Sequence, residues 1–324
     1  MKITANWTFE IPLSDYTVEA VKASVSRRER LAFGEVVAAM ALAGSTVVAG
    51  RVLGSYLPVF GAALASFLFA LAVSLPLQLT RLSELATLKG RELLLMGLQA
   101  LFGMVLFRIL VLYGLKLAPA MNAGIVMSAA PAVTLLLARF AFHEALDPRR
   151  IVSISLTILG LAVVNLGGLG SGKAAGDPAV GQAALGTLLV LGAVVSESLL
   201  TIFRKMSRQR VSSVTNTTVL CLVSSLLTLP LAAAEAAGGA HYTLGVPALA
   251  AAAYYGSFAT VVAYLLWGDG VLHIPAGRAG IAMGAMPVSS CLFSALFLHE
   301  HLGIVEIAGC LLAAAGIVLA SKRS

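Results

Sequence analysis

The sequence has 324 residues, of which 59% are hydrophobic and only 11% are charged, and its mean hydropathy is +0.94. A soluble domain of this length needs far more polar surface, so the composition excludes that class and indicates an integral membrane protein. The net charge of +7 comes from basic residues that lie between apolar stretches rather than on one face, which argues against a nucleic-acid partner.

The first thirty residues lack the apolar core of a cleavable signal peptide and end in a basic run, so we expect 1–30 to be a cytoplasmic tail. Apolar segments follow that are long enough, at about 20 residues, to cross a bilayer as helices. The predicted spans are 31–53, 59–78, 93–115, 120–142, 151–169, 184–204, 217–234, 245–267, 276–298 and 303–320. The expected fold class is an all-α integral membrane protein with ten transmembrane helices.

A stretch that covers the fourth predicted span, 119–146, returns at the ninth span as 275–302. The repetition indicates two five-helix units, 31–169 and 184–320. A Gly/Ser-rich linker, 170–183, joins them, and 321–324 form a short cytoplasmic end.

The orientation of the two units follows from their charges. Five spans per unit is an odd number, so two such units in sequence cross the membrane in opposite directions. Arg149 and Arg150 follow the fourth span, whereas the equivalent loop after the ninth span contains neither Lys nor Arg. This difference predicts inverted repeats, and the excess of basic residues on one side places both termini in the cytoplasm. Inverted repeats are typical of secondary transporters.

A spaced motif recurs in both units: a proline, a second proline after eleven residues, a glutamate after a further twelve, and a glycine in the closing helix. It occurs as Pro119, Pro131, Glu144 and Gly160, and again as Pro275, Pro287, Glu300 and Gly316. Over about 31–320 the chain resembles the EamA-type transporters of the drug/metabolite transporter superfamily. The resemblance implies transport of a small organic solute through a central cavity between spans 1, 3, 4, 6, 8 and 9.

Two ionisable residues lie deep within predicted spans, Arg108 in the third and Glu197 in the sixth. Such residues cost about 2.5–3.5 kcal/mol each to insert, so they are candidates for solute binding. Their opposite charges could pair, and a buried Glu197 could carry a proton during transport. The alternatives are that Arg108 extends to the interface and that Glu197 is protonated or bonded to a neighbouring helix.

Further candidate solute contacts are polar or aromatic residues in the first, fourth and eighth spans. Thr260, Tyr264 and Trp267 share one face of the eighth helix at α-helical spacing, which could line a cavity or form a packing seam. Ser45 in the first span could offer a hydroxyl group, and Asn122 lies at the start of the fourth span.

Two prolines, Pro131 and Pro287, occupy equivalent places in the fourth and ninth spans. Each removes a backbone hydrogen bond and is expected to bend its helix, so we predict a hinge beside the solute. The alternative is a static kink that serves helix packing.

The motif His299, Glu300 and His301 invites a metal interpretation, but zinc sites on helices need histidines four positions apart, and position 303 is glycine. We expect helix-end capping by Glu144 and Glu300 instead, with neither metal nor cofactor.

We therefore predict a secondary transporter, not an enzyme, that exports a small amino-acid-like metabolite across a bacterial inner membrane by alternating access. Import of a nucleotide-like metabolite is the alternative. A membrane scaffold or sensor would need a partner domain, and a channel would need a continuous polar ring. The expected partners are the solute and the lipid bilayer, with possible proton coupling, and the chain is expected to be a monomer or homodimer.

Overall fold

The structure is a computed structural model that describes residues 15–86, 88–142, 148, 151–152, 155–156, 159–160, 163, 178–207, 211–274, 282–301 and 303–321. Within these residues all regular secondary structure is helical. Pro275, Arg149 and Arg150, Glu144 and most of the predicted fifth span lie outside them.

Between residues 15 and 142, the described residues form seven α-helices and one π-helical segment. They are α1 (Asp15–Tyr56), α2 (Val59–Leu79), α3 (Leu82–Ala86), α4 (Gly90–Ala100), the segment π1 (Leu101–Leu106), α5 (Phe107–Leu117), α6 (Ala120–Met127) and α7 (Ala130–Phe142).

The second part has the same kinds of element. They are α8 (Pro178–Met206), α9 (Ser213–Ala237), α10 (Val246–Ala253), the segment π2 (Tyr254–Val262), α11 (Ala263–Gly270), a short 3₁₀ turn (Val271–His273), α12 (Ala285–Leu298) and α13 (Ile304–Ser321).

Among the described residues, seven helical stretches are long and apolar enough to cross a membrane. They are Arg27–Tyr56, Val59–Leu79, Gly90–Leu117, Ala120–Phe142, Gly181–Met206, Ser213–Ala237 and Val246–Gly270. These stretches confirm predicted spans one to four and six to eight, and with them a multi-pass integral membrane protein. The helices α12 and α13 fall on the predicted ninth and tenth spans.

The first helix begins earlier than the predicted tail allows. α1 starts at Asp15, so the residues from Asp15 to Arg30 are helical. This segment contains no Gly or Pro and is rich in Ala, Glu, Lys and Arg, which favour the helix outside the membrane as well.

The helices pack as antiparallel or crossing pairs around α1. α1 contacts α12 and α11, α5 contacts α8, and α2 contacts α9. The main core brings together Leu53 of α1, Phe67 of α2, Leu112 of α5, Tyr255 of π2 and Leu220 of α9.

The α2–α9 pair is joined at both ends by carboxylates that cap helix N-termini. At one end, Glu235 accepts hydrogen bonds from the backbone N–H groups of Gly61 (2.9 Å) and Phe60 (3.4 Å) at the start of α2. At the other end, Glu84 accepts from the backbone N–H of Ser212 (3.0 Å) and from the hydroxyl of Thr215 (2.7 Å) at the start of α9. Glu235 lies in the last turn of α9 and caps the start of α2, whereas Glu84 follows the end of α2 and caps the start of α9, so the two helices run antiparallel.

The Glu84 cap predicts a pH-dependent contribution to stability. Hydrogen bonds from Thr215 and Ser212 lower the pKa of Glu84 to about 2 from an ordinary 4.5. Because the folded-state pKa is the lower one, the stabilisation is complete above pH 4.5 and disappears as the pH falls to about 2. We expect Glu84→Gln to lower the free energy of unfolding by about 1 kcal/mol at neutral pH, measured by denaturant unfolding in detergent.

The control for this variant is Arg81→Gln, because Arg81 pairs with Glu84 at 3.2 Å on the exposed surface. It should cost less than about 0.5 kcal/mol. The difference between the parent and Glu84→Gln should vanish near pH 2; a constant difference from neutral pH downwards would contradict the capping argument.

Glu300 provides the capping that its sequence motif predicts. Its two carboxylate oxygens accept hydrogen bonds from the backbone N–H groups of Ala120 and Met121, both at 2.8 Å, at the start of α6. His299 precedes it with a φ of +53°, the left-handed conformation that ends α12 and turns the chain. Glu300 therefore ties the end of α12 to the beginning of α6.

Candidate solute-binding site around Arg108

Arg108 is buried within the membrane-spanning part of the bundle, with 3% of its surface exposed. Its Nη1 donates to the hydroxyl of Ser66 (3.0 Å) and its Nη2 donates to the hydroxyl of Thr260 (2.9 Å). The guanidinium lies 3.7 Å from the ring centroid of Tyr255 and 5.0 Å from that of Phe67. Desolvated contacts of this kind can each contribute about 2 kcal/mol. Arg108 is thus held by α2 and π2, not extended to an interface.

The charge of Arg108 is not neutralised within the part of the chain that the structure describes. There, its guanidinium has no carboxylate within 4 Å, and its buried Nε has no hydrogen-bond partner. A buried cation with only neutral partners is costly, because hydroxyl groups and rings replace water incompletely. The arrangement is suited to an anionic group of a ligand.

Both halves of this site contain π-helical turns at equivalent places. π1 (Leu101–Leu106) ends two residues before Arg108, and π2 (Tyr254–Val262) contains Tyr255 and Thr260. The side-chain hydroxyl of Thr260 donates to the carbonyl of Tyr255, five positions earlier, at 2.8 Å. π-Helical turns are rare and occur often at functional sites, because the extra residue rotates side chains relative to a regular α-helix.

Glu197 lies on α8 close to the level of Arg108, because Gly103 contacts Leu200 on one side of them and Gly114 contacts Val190 on the other. Tyr264 packs against the main core. One carboxylate oxygen of Glu197, Oε2, is buried without a hydrogen-bond partner. A direct Arg108–Glu197 ion pair is not formed among the described residues, because the guanidinium is occupied by Ser66 and Thr260. Glu197 and Arg108 thus carry opposite charges in the same region without a direct contact.

The first span reaches the same region through two hydroxyl groups. Ser45 shares a hydrogen bond of 2.6 Å with the hydroxyl of Tyr254. Thr46 lies beside the hydroxyl of Tyr255. The structure therefore brings Ser45, from the predicted set, to the π2 segment that holds Arg108.

Two other predicted contacts lie in different surroundings. Trp267 packs with Ala32 and Val36 of α1 and with Ile274, in a small apolar cluster of its own. Asn122 is half-buried in the first turn of α6, directly after the backbone groups that Glu300 caps. Their roles in solute binding stay predictions.

Backbone breaks accompany both predicted hinge prolines. Ser128 and Ala129 interrupt the fourth span two residues before Pro131, and Gly284 interrupts the ninth span three residues before Pro287. Since proline has no N–H group, it leaves a carbonyl four positions earlier without its helical donor. Motion about these breaks stays a prediction.

Sequence analysis missed Ser66 and Tyr255, although both contact Arg108 directly. Ser66 is a single hydroxyl in an apolar helix, and Tyr255 lies off the face that regular α-helical spacing selects. One sequence feature could have indicated Tyr255. The aromatic pair Tyr254 and Tyr255 precedes Gly256, at the position in the second repeat that is equivalent to the stretch before Arg108.

Comparison with known proteins identifies the family. The model of the EamA-like transporter family matches residues 33–166 and 184–322, which together cover most of the chain. The chain belongs to the EamA-like transporter family. This EamA-like protein is therefore a membrane transporter, and Arg108 lies in its membrane-spanning region.

Similar proteins carry the same general description. The EamA-like chain is 30% identical over 283 residues to "Uncharacterized transporter YetK" of Bacillus subtilis (strain 168), which covers 87% of this chain and 84% of the relative. It is 25% identical over 203 residues to an "Uncharacterized transporter" of Archaeoglobus fulgidus, which covers 62% of this chain and 67% of the relative. A solved structure, "Crystal structure of protein", matches with a TM-score of 0.63 at 22% identity, over 90% of this chain and 96% of that chain, and shows a common fold.

Proposed function

We propose that this transporter exports a small amino-acid-like metabolite from the cytoplasm by alternating access. The solute's carboxylate would bind Arg108, and its ammonium group would face Glu197. The observation that carries the proposal is the buried Arg108 guanidinium, which has a fixed position and no carboxylate partner among the described residues.

Glu197 supports the second half of this assignment. Its Oε2 is buried and has no hydrogen-bond partner, so it can accept from a bound ammonium group. Glu197 lies on α8 close to the level of Arg108 on α5, so we infer that one small zwitterion contacts both groups. In the absence of solute, Glu197 would carry a proton, which couples transport to the pH gradient.

The architecture that we propose for alternating access has ten transmembrane helices in two inverted five-helix units, with both termini in the cytoplasm of a bacterial cell. Three observations support it. The family model matches the chain twice, the α2–α9 pair is antiparallel with reciprocal caps, and a backbone break precedes both Pro131 and Pro287. Inverted units can exchange conformations to open one side of the membrane at a time.

The proposal is tested by counterflow in proteoliposomes, with a panel of labelled amino acids and three matched sets of competitors. α-Hydroxy acids lack the ammonium group, amino-acid amides lack the carboxylate, and nucleotides provide the other solute class. We expect exchange of at least one amino acid, weak competition by its hydroxy acid and none by its amide. Exchange that the amides inhibit as well as the acids, or that only nucleotides inhibit, would rule out the assignment.

Proton coupling and direction are measured in the same vesicles. Glu197→Gln keeps an oxygen that can accept from the ammonium group but removes the charge, so it should retain counterflow with weaker affinity and lose the response to an imposed pH gradient. A Glu197→Gln protein whose transport responds to the gradient as the parent does would show that Glu197 does not carry the proton.

A further inference from the structure

A second cationic site lies at one end of the seam between α1 and α5. A cavity of about 210 Å³ opens there. Its lining includes Gly50, Arg51 and Gly54 of α1 and Leu112, Leu115 and Lys116 of α5. The two leucines form an apolar floor, and the two basic residues form a charged rim.

The position of the Arg51 charge is set by the end of α5. Its Nη1 donates to the carbonyl of Ala118 (3.0 Å) and also to that of Leu115. Because one nitrogen makes both contacts, the guanidinium is oriented by the backbone and its charge stays at the rim. Lys116, in the last turn of α5, is exposed beside it.

The basic residues of the rim differ from the basic residue at the opposite end of α1 in whether an acidic side chain pairs with them. There, Arg28 forms ion pairs with Glu35 (2.8 Å) and with Asp269. Within the described part of the chain, neither Arg51 nor Lys116 has a carboxylate within 4 Å. Glu235 lies near this end of the bundle, but it caps the N-terminus of α2. Among the described residues, the rim therefore has no acidic counter-charge beside its apolar floor.

The cavity and the buried Arg108 lie along a single seam between α1 and α5. Arg108, Leu112 and Leu115 follow at helical spacing on one face of α5, and Thr46, Gly50 and Gly54 do the same on α1. A Cβ atom added to Gly50 would meet Leu115 at 2.8 Å, Tyr255 at 3.5 Å and Leu112 at 3.6 Å. Tyr255 thus separates the floor of the cavity from Arg108, whose guanidinium covers the other part of its ring.

From this geometry we propose that the Arg51–Lys116 cavity is a second binding site, selective for small organic anions with an apolar tail. The carboxylate binds between Arg51 and Lys116, and the tail lies on Leu112 and Leu115. Occupancy of this site depends neither on the solute that Arg108 binds nor on the direction of transport. A solute that moves along the seam would occupy this site immediately before it enters the aqueous phase or immediately after it leaves that phase.

The test is fluorine NMR of 4-fluorophenylacetate with the full-length protein in nanodiscs, and 4-fluorophenylacetamide serves as the neutral probe of the same shape. We expect saturable binding of the acid and none of the amide. Lys116→Gln should weaken binding of the acid about tenfold, the effect of one lost charge-assisted contact. Lys89→Gln removes the same charge at an exposed position on a different loop and should leave binding unchanged.

A filling variant locates the probe. A Cβ atom added at Gly54 meets no atom within 4 Å, and Gly54 lines the cavity, so Gly54→Leu should occupy the cavity, abolish binding and keep the melting temperature of the parent. The proposal is overturned if the acid shows no saturable binding, if the amide binds equally well, or if Gly54→Leu retains binding. Retention in Gly54→Leu with loss in Arg108→Gln would assign the probe to the Arg108 site instead. Because these are binding measurements, they are independent of the counterflow result.

Discussion

Arg108→Gln is expected to weaken binding of a carboxylate-bearing solute at least about 30-fold while leaving the fold intact. Truncating one partner of a buried charge pair costs 2 kcal/mol or more in binding, which corresponds to that factor. The free protein should not be destabilised, because the variant removes a buried cation whose partners among the described residues are all neutral, namely Ser66, Thr260 and two aromatic rings. Affinity is read from the concentration dependence of counterflow, and stability from the melting temperature in detergent.

The control for this prediction is Arg139→Gln, because Arg139 is also within a membrane-spanning helix but is exposed. It makes the same chemical change and should alter neither affinity nor melting temperature. An Arg108→Gln protein with parental transport would remove Arg108 from the solute site. A large fall in melting temperature would identify Arg108 as a structural residue.

Gly256→Ala should produce the largest loss of stability among single-methyl changes in the bundle. An added Cβ at this position would lie 2.1 Å from the carbonyl oxygen of Ser66 and 2.8 Å from the backbone nitrogen of Ala70. Both atoms belong to the backbone of α2, which cannot rotate away as a side chain does. The two helices must separate, at a cost of about 1–3 kcal/mol.

The same change should also weaken solute binding, because Gly256 lies between Tyr255 and the segment of α2 that carries Ser66. Both of these residues position Arg108. The matched control is Gly97→Ala in α4, where an added Cβ meets nothing within 4 Å. That variant should be neutral or slightly more stable, since alanine favours the helix. Equal melting temperatures for the two variants would show that the close contact of π2 with α2 does not limit the size of the side chain at position 256.

Hydropathy predicts the membrane-spanning helices well because the bilayer imposes one simple requirement, an apolar stretch of sufficient length. Helix α2 was predicted as 59–78 and extends from Val59 to Leu79. The first predicted span begins at residue 31, whereas helix α1 begins at Asp15. Hydropathy does not predict this extension, because helix formation outside the bilayer depends on intrinsic helix propensity.

The surroundings of Arg108 were predictable only in part. A charge in an apolar helix is visible in the sequence, and so is the hydroxyl of Thr260. Their contact is not, because it depends on the π-helical turn at Tyr254–Val262, and regular α-helical spacing misplaces side chains across such a turn. Trp267 shares the predicted face with Thr260 but packs against α1 elsewhere.

The carboxylate caps illustrate a second limit. Glu84 and Glu235 read as ordinary polar residues in the sequence, since their partners are more than a hundred positions away. Glu300 could be recognised as a cap because its motif recurs. A motif that occurs twice in the sequence can therefore indicate a structural role that is not recognisable for a residue outside any motif.

The three caps also bear on how the two parts of this molecule hold together. Glu235 and Glu300 come from the later part of the chain and cover helix ends of the earlier part, whereas Glu84 does the reverse. Each part therefore satisfies polar groups at helix ends of the other. Their association is stabilised through space at several separate points, far from the peptide that connects them in sequence.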